Sequence, residues 1–339
     1  MNNLHDLFLQ VKNTFTSAPC DAGQIISEYY AINRQIIQLE MLGDSLAKKI
    51  CPALGHLRQQ PSENVDLIIH AFDNRFKGLP DDFPSVVDAG NPVLNLRSAD
   101  GTIFLQKTVE GALSIVDRHA GEAFFHVSDI ECLPYWEVAA PLRIIINWWG
   151  IHRGMQLLHA AAVGYEGKGV LLAGKSGSGK SSTAVTCLTA GLEYAGDDHV
   201  LLDLENIDRV FAIFATAKLN DDMMRITHGF PGLNSLLPKN PGEKNMWFLP
   251  EHLMKKELPV DAILIPKIAG QKISTYQQIA PMKGLLALAP STLLYCPGEA
   301  EQTLSALSGL ARRVPTYEFL VGSDPEYLAD TMKNLLRKL

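Results

Sequence analysis

The chain has 339 residues, 47% of them apolar and 20% charged, with a formal net charge of -7. That length suffices for one large domain or two ordinary ones, each able to bury its own core. The acidic balance gives no electrostatic footprint for nucleic acid, and no stretch nears the roughly 20 uninterrupted apolar residues that a membrane crossing needs.

The opening MNNLHDLFLQVKNTFTSAP lacks a basic leader, a sustained apolar run and a small-residue cleavage site, so a cytoplasmic location is expected. Five scattered cysteines, Cys20, Cys51, Cys132, Cys187 and Cys296, form no CxxC pair and read as reduced thiols. From Asp21 to Leu57 the apolar residues fall near a 3.6-residue period, which predicts a helix capped by Asp21 and ended or kinked by Pro52. Short apolar runs separated by turn residues then predict a small, largely antiparallel β region from Val65 to Asp129. Within it, SADGT marks a hairpin. The linker at Asp129 to Pro134 is the expected boundary between a 1–130 module and a 131–339 domain.

The second region opens with a buried helix expected over Pro141 to Leu157, with Trp148 and Trp149 in the core. Gly154 interrupts it before a strand over Leu157–Val163. The turn Gly164–Gly169 and the strand Val170–Ala173 complete a hairpin that delivers the chain to a glycine-rich loop. A hairpin there, in place of a crossover, predicts a mixed sheet and an α/β (α+β mixed) fold.

The loop Gly174-Lys175-Ser176-Gly177-Ser178-Gly179-Lys180-Ser181 fits G-x4-G-K-[ST] in full. Glycines let backbone N–H groups converge on phosphate oxygens with no Cβ in the way. Lys180 supplies a point charge for the outer phosphates, and the Ser181 hydroxyl suits Mg²⁺. A helix over Lys180 to Ala190, closed by Gly191, directs its positive end at the same anions.

His159 precedes the hairpin, and Asp197 and Asp198 follow the helix. Taken singly, the aspartates also read as a polar turn and His159 as a core histidine. Asp203, closing HVLLD, is the rival metal ligand. Adjacent residues of a strand point to opposite faces, so both carboxylates reach one site only if the backbone bends at Gly196. In HAAAV, GKSGSGKS and AGDDHVLL the chain resembles the HPr kinase/phosphorylase family, P-loop enzymes related to phosphoenolpyruvate carboxykinases. It is similar above all to the HPr-kinase-like serine kinases, some of which act in lasso-peptide tailing.

The resemblance implies a carboxykinase-like P-loop fold using ATP and Mg²⁺, with residues 174–182, Ser182 included, around the nucleotide. Asp197 would be the base, Asp198 and Ser181 would position the metal, and His159 would support the aspartates or the phosphate. Which aspartate does which job is open. Ser182 stands where HPr kinases proper carry glutamate, and their Leu-Glu-Ile-Arg-Gly signature is absent. Lys218 is a candidate to supply charge to the phosphoryl group, with a surface lysine as the alternative.

The expected activity is an ATP- and Mg²⁺-dependent kinase acting on a hydroxyl, serine of a peptide or small protein first. A nucleotide-binding regulator without chemistry and a kinase of a small hydroxylated metabolite are the alternatives. Relatives assemble, so a homo-oligomer is the implied assembly. Downstream, VDAILIPKI predicts a buried strand ending at Pro266, Pro281 opens a helix that Pro290 interrupts or ends, and the C-terminal helix is capped by Asp324 or Ser323 with Pro325 in its first turn. The segment His228–Asn245 is a candidate lid, acceptor-binding segment or connector.

Overall fold

The structure, a computed structural model, describes residues 4–17, 25–75, 79, 92–219, 221 and 244–339. The chain divides into two compact units, Met1–Arg153 and Gly154–Leu339. The division therefore follows residue 153, where the sequence placed it after 130, because the helices at 135–139 and 143–152 pack on elements of the first unit.

In unit 1, α1 (Leu4–Thr16) precedes β1 (Ile25–Ile32), β2 (Gln35–Leu42), α2 (Asp44–Leu54), β3 (Arg58–Gln59) and β4 (Leu67–Asp73). A meander follows: β5 (Val93–Arg97), β6 (Ile103–Thr108), β7 (Ala112–Asp117) and β8 (Glu122–Val127). Then come α3 (Tyr135–Ala139) and α4 (Arg143–His152). The eight strands form one sheet in the order β3-β1-β2-β4-β8-β7-β6-β5. The expected antiparallel region is present as β5–β8, and the hairpin at SADGT joins β5 to β6. Leu7, Phe8, Val11 and Phe15 of α1 bury against Phe72 and Phe124 of the sheet. Trp148 and Trp149 of α4 are both buried.

The long helix expected from Asp21 is instead a hairpin followed by the shorter α2. β1 and β2 pair antiparallel from Ile25↔Leu42 to Ile32↔Gln35. Asn33 and Arg34 both have positive φ, 43° and 67°, the two-residue turn that matches strand twist. Ile37, Leu39 and Met41 are buried at alternate positions, a period of two in residues that also fit 3.6. Asp21 itself lies outside the described residues. Pro52 sits in the last turn of α2, where the helix indeed ends.

Unit 2 holds β9 (Met155–Leu158), β10 (Ala161–Tyr165), β11 (Lys168–Leu172), α5 (Lys180–Thr189), β12 (Glu193–Gly196), β13 (Val200–Asp203), β14 (Arg209–Ala212), β15 (Thr216–Leu219) and β16 (Asn245–Phe248). It continues with β17 (Glu257–Pro259), β18 (Ala262–Ile268), β19 (Thr275–Ile279), α6 (Pro281–Tyr295), α7 (Ala300–Arg313), β20 (Thr316–Val321) and α8 (Pro325–Leu336). A six-stranded sheet runs β12-β10-β11-β18-β20-β19, and a four-stranded one β17-β14-β13-β9. The first is mixed, as the hairpin entry required: β10 is antiparallel to β11 and β12, while β11, β18 and β20 are parallel.

The strand read over Leu157–Val163 is broken. β9 belongs to the four-stranded sheet and β10 to the six-stranded one, so His159 and Ala160 form the step between sheets. The turn between β10 and β11 tightens to Glu166–Gly167, with φ 53° and 80°. Gly191, at φ 80°, closes α5. Its N–H donates to the Leu188 carbonyl at 3.0 Å, and the Leu192 N–H donates to the Cys187 carbonyl at 2.9 Å. This is the paired cap that glycine permits. Pro281 opens α6 and Pro290 lies inside it. Asp324 caps α8, accepting from the Glu326 and Tyr327 N–H groups.

Candidate active site

One edge of the six-stranded sheet gathers the predicted site. β11, β12, β18 and β20 all end at that edge and β10 begins there, the position at which open α/β sheets hold ligands. The glycine-rich loop follows β11, the aspartate pair follows β12, and His159 precedes β10. A cavity of about 430 Å³ lies among them.

The loop has the backbone a phosphate cradle needs. Gly174, Gly177 and Gly179 have φ of 143°, 80° and 103°, which side chains rarely adopt. Lys180 opens α5 and is buried. Its ammonium donates to the Gly174 carbonyl at 2.7 Å and the Lys175 carbonyl at 3.4 Å. Burial pulls the Lys180 pKa down, with Asp198 acting the other way. Ser176, Gly177, Gly179, Lys180, Ser181 and Ser182 line the cavity. Gly174, Lys175 and Ser178 do not line it. The Ser178 hydroxyl oxygen is buried with no hydrogen-bond partner among the described residues, a donor available to an anion in the loop.

The backbone does bend after β12. Gly196 has φ 158°, and a Cβ there would lie 2.9 Å from the His199 carbonyl oxygen. The two carboxylates part at this bend. Asp197 is 2% exposed and does not line the cavity. Its Oδ2 accepts the Lys218 backbone N–H at 2.9 Å. Burial, then the neighbouring Asp198 charge, pushes its pKa up to about 6. Asp198 does line the cavity, its side chain 28% exposed. Its Oδ1 lies 3.3 Å from His159 Nε2, and its Oδ2 accepts from Lys218 Nζ at 2.5 Å. Burial would raise this carboxyl, but the Lys218 ammonium and His159 outweigh it and hold it well below the usual carboxylate range.

His159 is held from three sides. Its backbone N–H donates to Thr292 Oγ1 at 3.3 Å, its ring meets Tyr295 at 4.7 Å between centroids, and Nε2 faces Asp198. Lys218 is no surface lysine: it is 5% exposed, in β15, and touches both aspartates. Asp203, the rival ligand, is spent on a turn, accepting from the Glu205 and Asn206 N–H groups at 2.9 and 3.1 Å.

Sequence reasoning missed Lys244, Thr186, Ile268 and Val321, all lining the cavity. No motif marks them, because they arrive from a helix flank, a strand start and two strand ends. Of the segment His228–Asn245, only Lys244 and Asn245 lie within the described residues. Among the described residues, three lysines, Lys180, Lys218 and Lys244, and one carboxylate, Asp198, line the cavity. That excess of positive charge in a concave site favours a polyanion.

Among the described cysteines, Cys51, Cys132, Cys187 and Cys296, none is joined to another by a disulfide, and Cys20 lies outside the described residues. Among the described residues no group of three His, Cys, Asp or Glu is arranged to hold a metal. Mg²⁺ bound through one carboxylate, one hydroxyl and phosphate oxygens needs no such group. The residues present fit both ligands: a cradle with an unpartnered hydroxyl for phosphate, and an ionised carboxylate, Asp198, lining the same cavity as Ser181 for the cation. Among the described residues no helix is long and apolar enough to cross a membrane.

No protein-family model matches the chain, and no curated protein does. Among solved structures it is similar to the Hpr(Ser) kinase/phosphatase from Coxiella burnetii, at 14% identity and a TM-score of 0.29, over 54% of this chain and 97% of that one. At that level of likeness no residue role passes from one chain to the other.

Proposed function

We propose that the chain is a phosphotransferase that moves the γ-phosphate of ATP to a hydroxyl, with serine of a peptide or small protein as the acceptor class. One observation carries the reading: a complete phosphate loop and an ion-paired carboxylate share one cavity with three lysines. The serine acceptor rests on the HPr-kinase-like motifs.

In this reading the loop N–H groups and Lys180 hold the triphosphate, and Ser181 with Asp198 holds Mg²⁺. When bound, Mg²⁺ neutralises charge on the phosphate oxygens. Lys218 and Lys244 stabilise charge that builds on the transferring group. The acceptor oxygen bonds to the γ-phosphorus, the bond to the bridging oxygen breaks, and ADP leaves. The hydroxyl proton passes to Asp197, whose pKa of about 6 suits a base near neutrality. At 2% exposure Asp197 meets an acceptor only if the site opens to admit the hydroxyl. His159 orients Asp198.

The test is phosphate transfer from γ-labelled ATP to serine peptides by wild type, Asp197→Asn and Asp198→Asn. Asp197→Asn is expected to keep nucleotide binding and lose about a hundredfold or more in kcat. Asp198→Asn is expected to lose the Mg²⁺ dependence of nucleotide binding. Wild-type transfer by Asp197→Asn would make it a structural group that anchors β15. The burial of Asp197 favours a second reading, a nucleotide binder without chemistry, which is the outcome if wild type binds ATP and transfers nothing to any acceptor.

A further inference from the structure

The cavity is lopsided. On the β10–β12 side of the phosphate loop stand His159, Asp198 and Lys218. On the β18–β20 side the wall is apolar: Ile268, Val321, Pro325 and Leu328, with Ser323 the one polar side chain lining it among the described residues. We infer that this wall is the nucleobase subsite, a flat apolar surface on which the ring of a purine nucleotide stacks. The inference rests on the phosphate-loop reading above and extends it to the part of the ligand that reading leaves unplaced.

Three observations carry it. First, the wall adjoins the loop. Ile268 and Val321 are register partners at the ends of β18 and β20, and a Cβ at Gly179 would lie 3.8 Å from Ile268 and 3.9 Å from Val321. A ligand leaving the loop on this side meets them at once. The chemistry at the other side is four strands away, from β20 to β12, on the order of 19 Å at the usual strand spacing. An extended nucleoside triphosphate fits such a span with its γ-phosphate at one end and its base at the other.

Second, the wall is exposed yet fixed. Ile268 is 68% exposed, an aliphatic side chain at the lip of a charged cavity. The chain beyond it is pinned: the Ser323 N–H donates to the Gln271 carbonyl at 2.9 Å and the Gly322 N–H to Ser274 Oγ at 2.9 Å. A Cβ at Gly322 would lie 2.4 Å from the Lys272 carbonyl oxygen, so the two segments touch by backbone. Stacking on a preformed surface avoids the cost of ordering it.

Third, none of the described residues that line this wall is cationic. The wall includes the start of α8, and Asp324 already occupies the donors of that first turn through the Glu326 and Tyr327 N–H groups. The group that belongs here is uncharged and flat. With a single polar side chain to read its edge, the wall selects for a ring more than for a particular purine.

Binding of ATP, GTP and inorganic tripolyphosphate to wild type and Ile268→Ala, measured by titration calorimetry with Mg²⁺, tests this. Ile268 is exposed, so the variant keeps the fold. Ile268→Ala is expected to weaken ATP and GTP alike by about tenfold, the worth of one aliphatic contact, and to leave tripolyphosphate unchanged. Unchanged nucleotide affinity, a loss confined to one base, or an equal loss for tripolyphosphate each overturns the base subsite while the phosphate loop stands. If wild type binds neither nucleotide nor tripolyphosphate, the phosphate-loop reading fails and takes the subsite with it.

Discussion

Each unit has an edge where parallel strands end, and the two edges use their charges differently. In unit 1, β2, β4 and β8 run parallel. Asp73, fully buried at the end of β4, accepts the Arg75 N–H at 3.0 Å and Arg75 Nε at 2.9 Å. That guanidinium reaches Ser45 of α2, and His126 pairs with Asn74 at 2.8 Å. The Asp73 carboxylate is closed by a cation two residues along the same chain. In unit 2, Asp198 draws Lys218 and His159 from other segments, and Lys180 and Lys244 add positive charge that no further carboxylate lining the cavity matches among the described residues. A local partner makes a structural knot. Distant partners of one sign around a glycine-rich turn make a binding site.

The sharpest way to break this contrast is Lys180→Ala. It is expected to lower phosphate transfer about a thousandfold and to move unfolding by less than about 1 kcal/mol, since burial already strains that ammonium. Transfer that survives would reduce the unit 2 edge to another structural knot. Next is Asp197→Asn, read by thermal unfolding against pH. The folded pKa of about 6 lies above the ordinary 3.8. The stability this carboxyl contributes is therefore whole below pH 3.8 and lost as pH rises through 6. At pH 8 the ionised group costs up to about 3 kcal/mol, at 1.36 kcal/mol per pH unit. Asparagine still accepts from the Lys218 N–H. The variant is expected to be the more stable protein at pH 8, with the advantage gone by pH 4.

The legible part of the site was the part built from contiguous chain. Residues 174–181 announce a strand, a cradle and a helix in one reading, and the cradle's backbone is as expected. The pair Asp197-Asp198 was legible as a pair, and the bend at Gly196 was foreseen as the condition for it. How the bend divides them was not, because it depends on β15, which supplies both Lys218 groups from twenty residues away. Lys244 fell inside the candidate segment His228–Asn245 and Ile268 inside the strand VDAILIPKI, but nothing singled out either or joined Ile268 to Val321, since adjacency at a sheet edge is set by strand order. The hairpin at 25–42 was misread because Ile and Leu at spacings of three and four also satisfy alternation in part. Asn33 was the turn signal that outweighed it.

Asp73→Ala probes the other edge. It removes a buried acceptor of charged and backbone donors and is expected to cost unit 1 about 2 kcal/mol in denaturant unfolding, while nucleotide affinity stays at the wild-type value. A loss of affinity would mean that the unit 1 edge is part of the site and not a closed knot.

The smallest effect tests the blunt ends of the same two sheets. Each sheet also carries a tight two-residue hairpin turn, Asn33-Arg34 before β2 and Glu166-Gly167 before β11, both with two positive φ values. Because β2 runs with β4 and β11 with β18, each turn lies at the edge opposite the gathered strand ends. Unit 2 has glycine at the second position, where a Cβ would meet nothing within 4 Å, so its benefit is purely one of backbone. Unit 1 has an exposed arginine there at φ 67°. A left-handed residue with a side chain costs about 1 kcal/mol or more, and glycine returns part of that through the larger entropy of its unfolded chain. Arg34→Gly is therefore expected to stabilise unit 1 by about 0.5 kcal/mol, and Gly167→Arg to destabilise unit 2 by a similar amount, both read as shifts in the denaturant midpoint at constant slope. Because both turns face away from the gathered strand ends, neither change is expected to alter nucleotide binding. A change in binding with Gly167→Arg would show that the β10–β11 hairpin transmits strain to the phosphate loop, so that the open edge depends on the closed one.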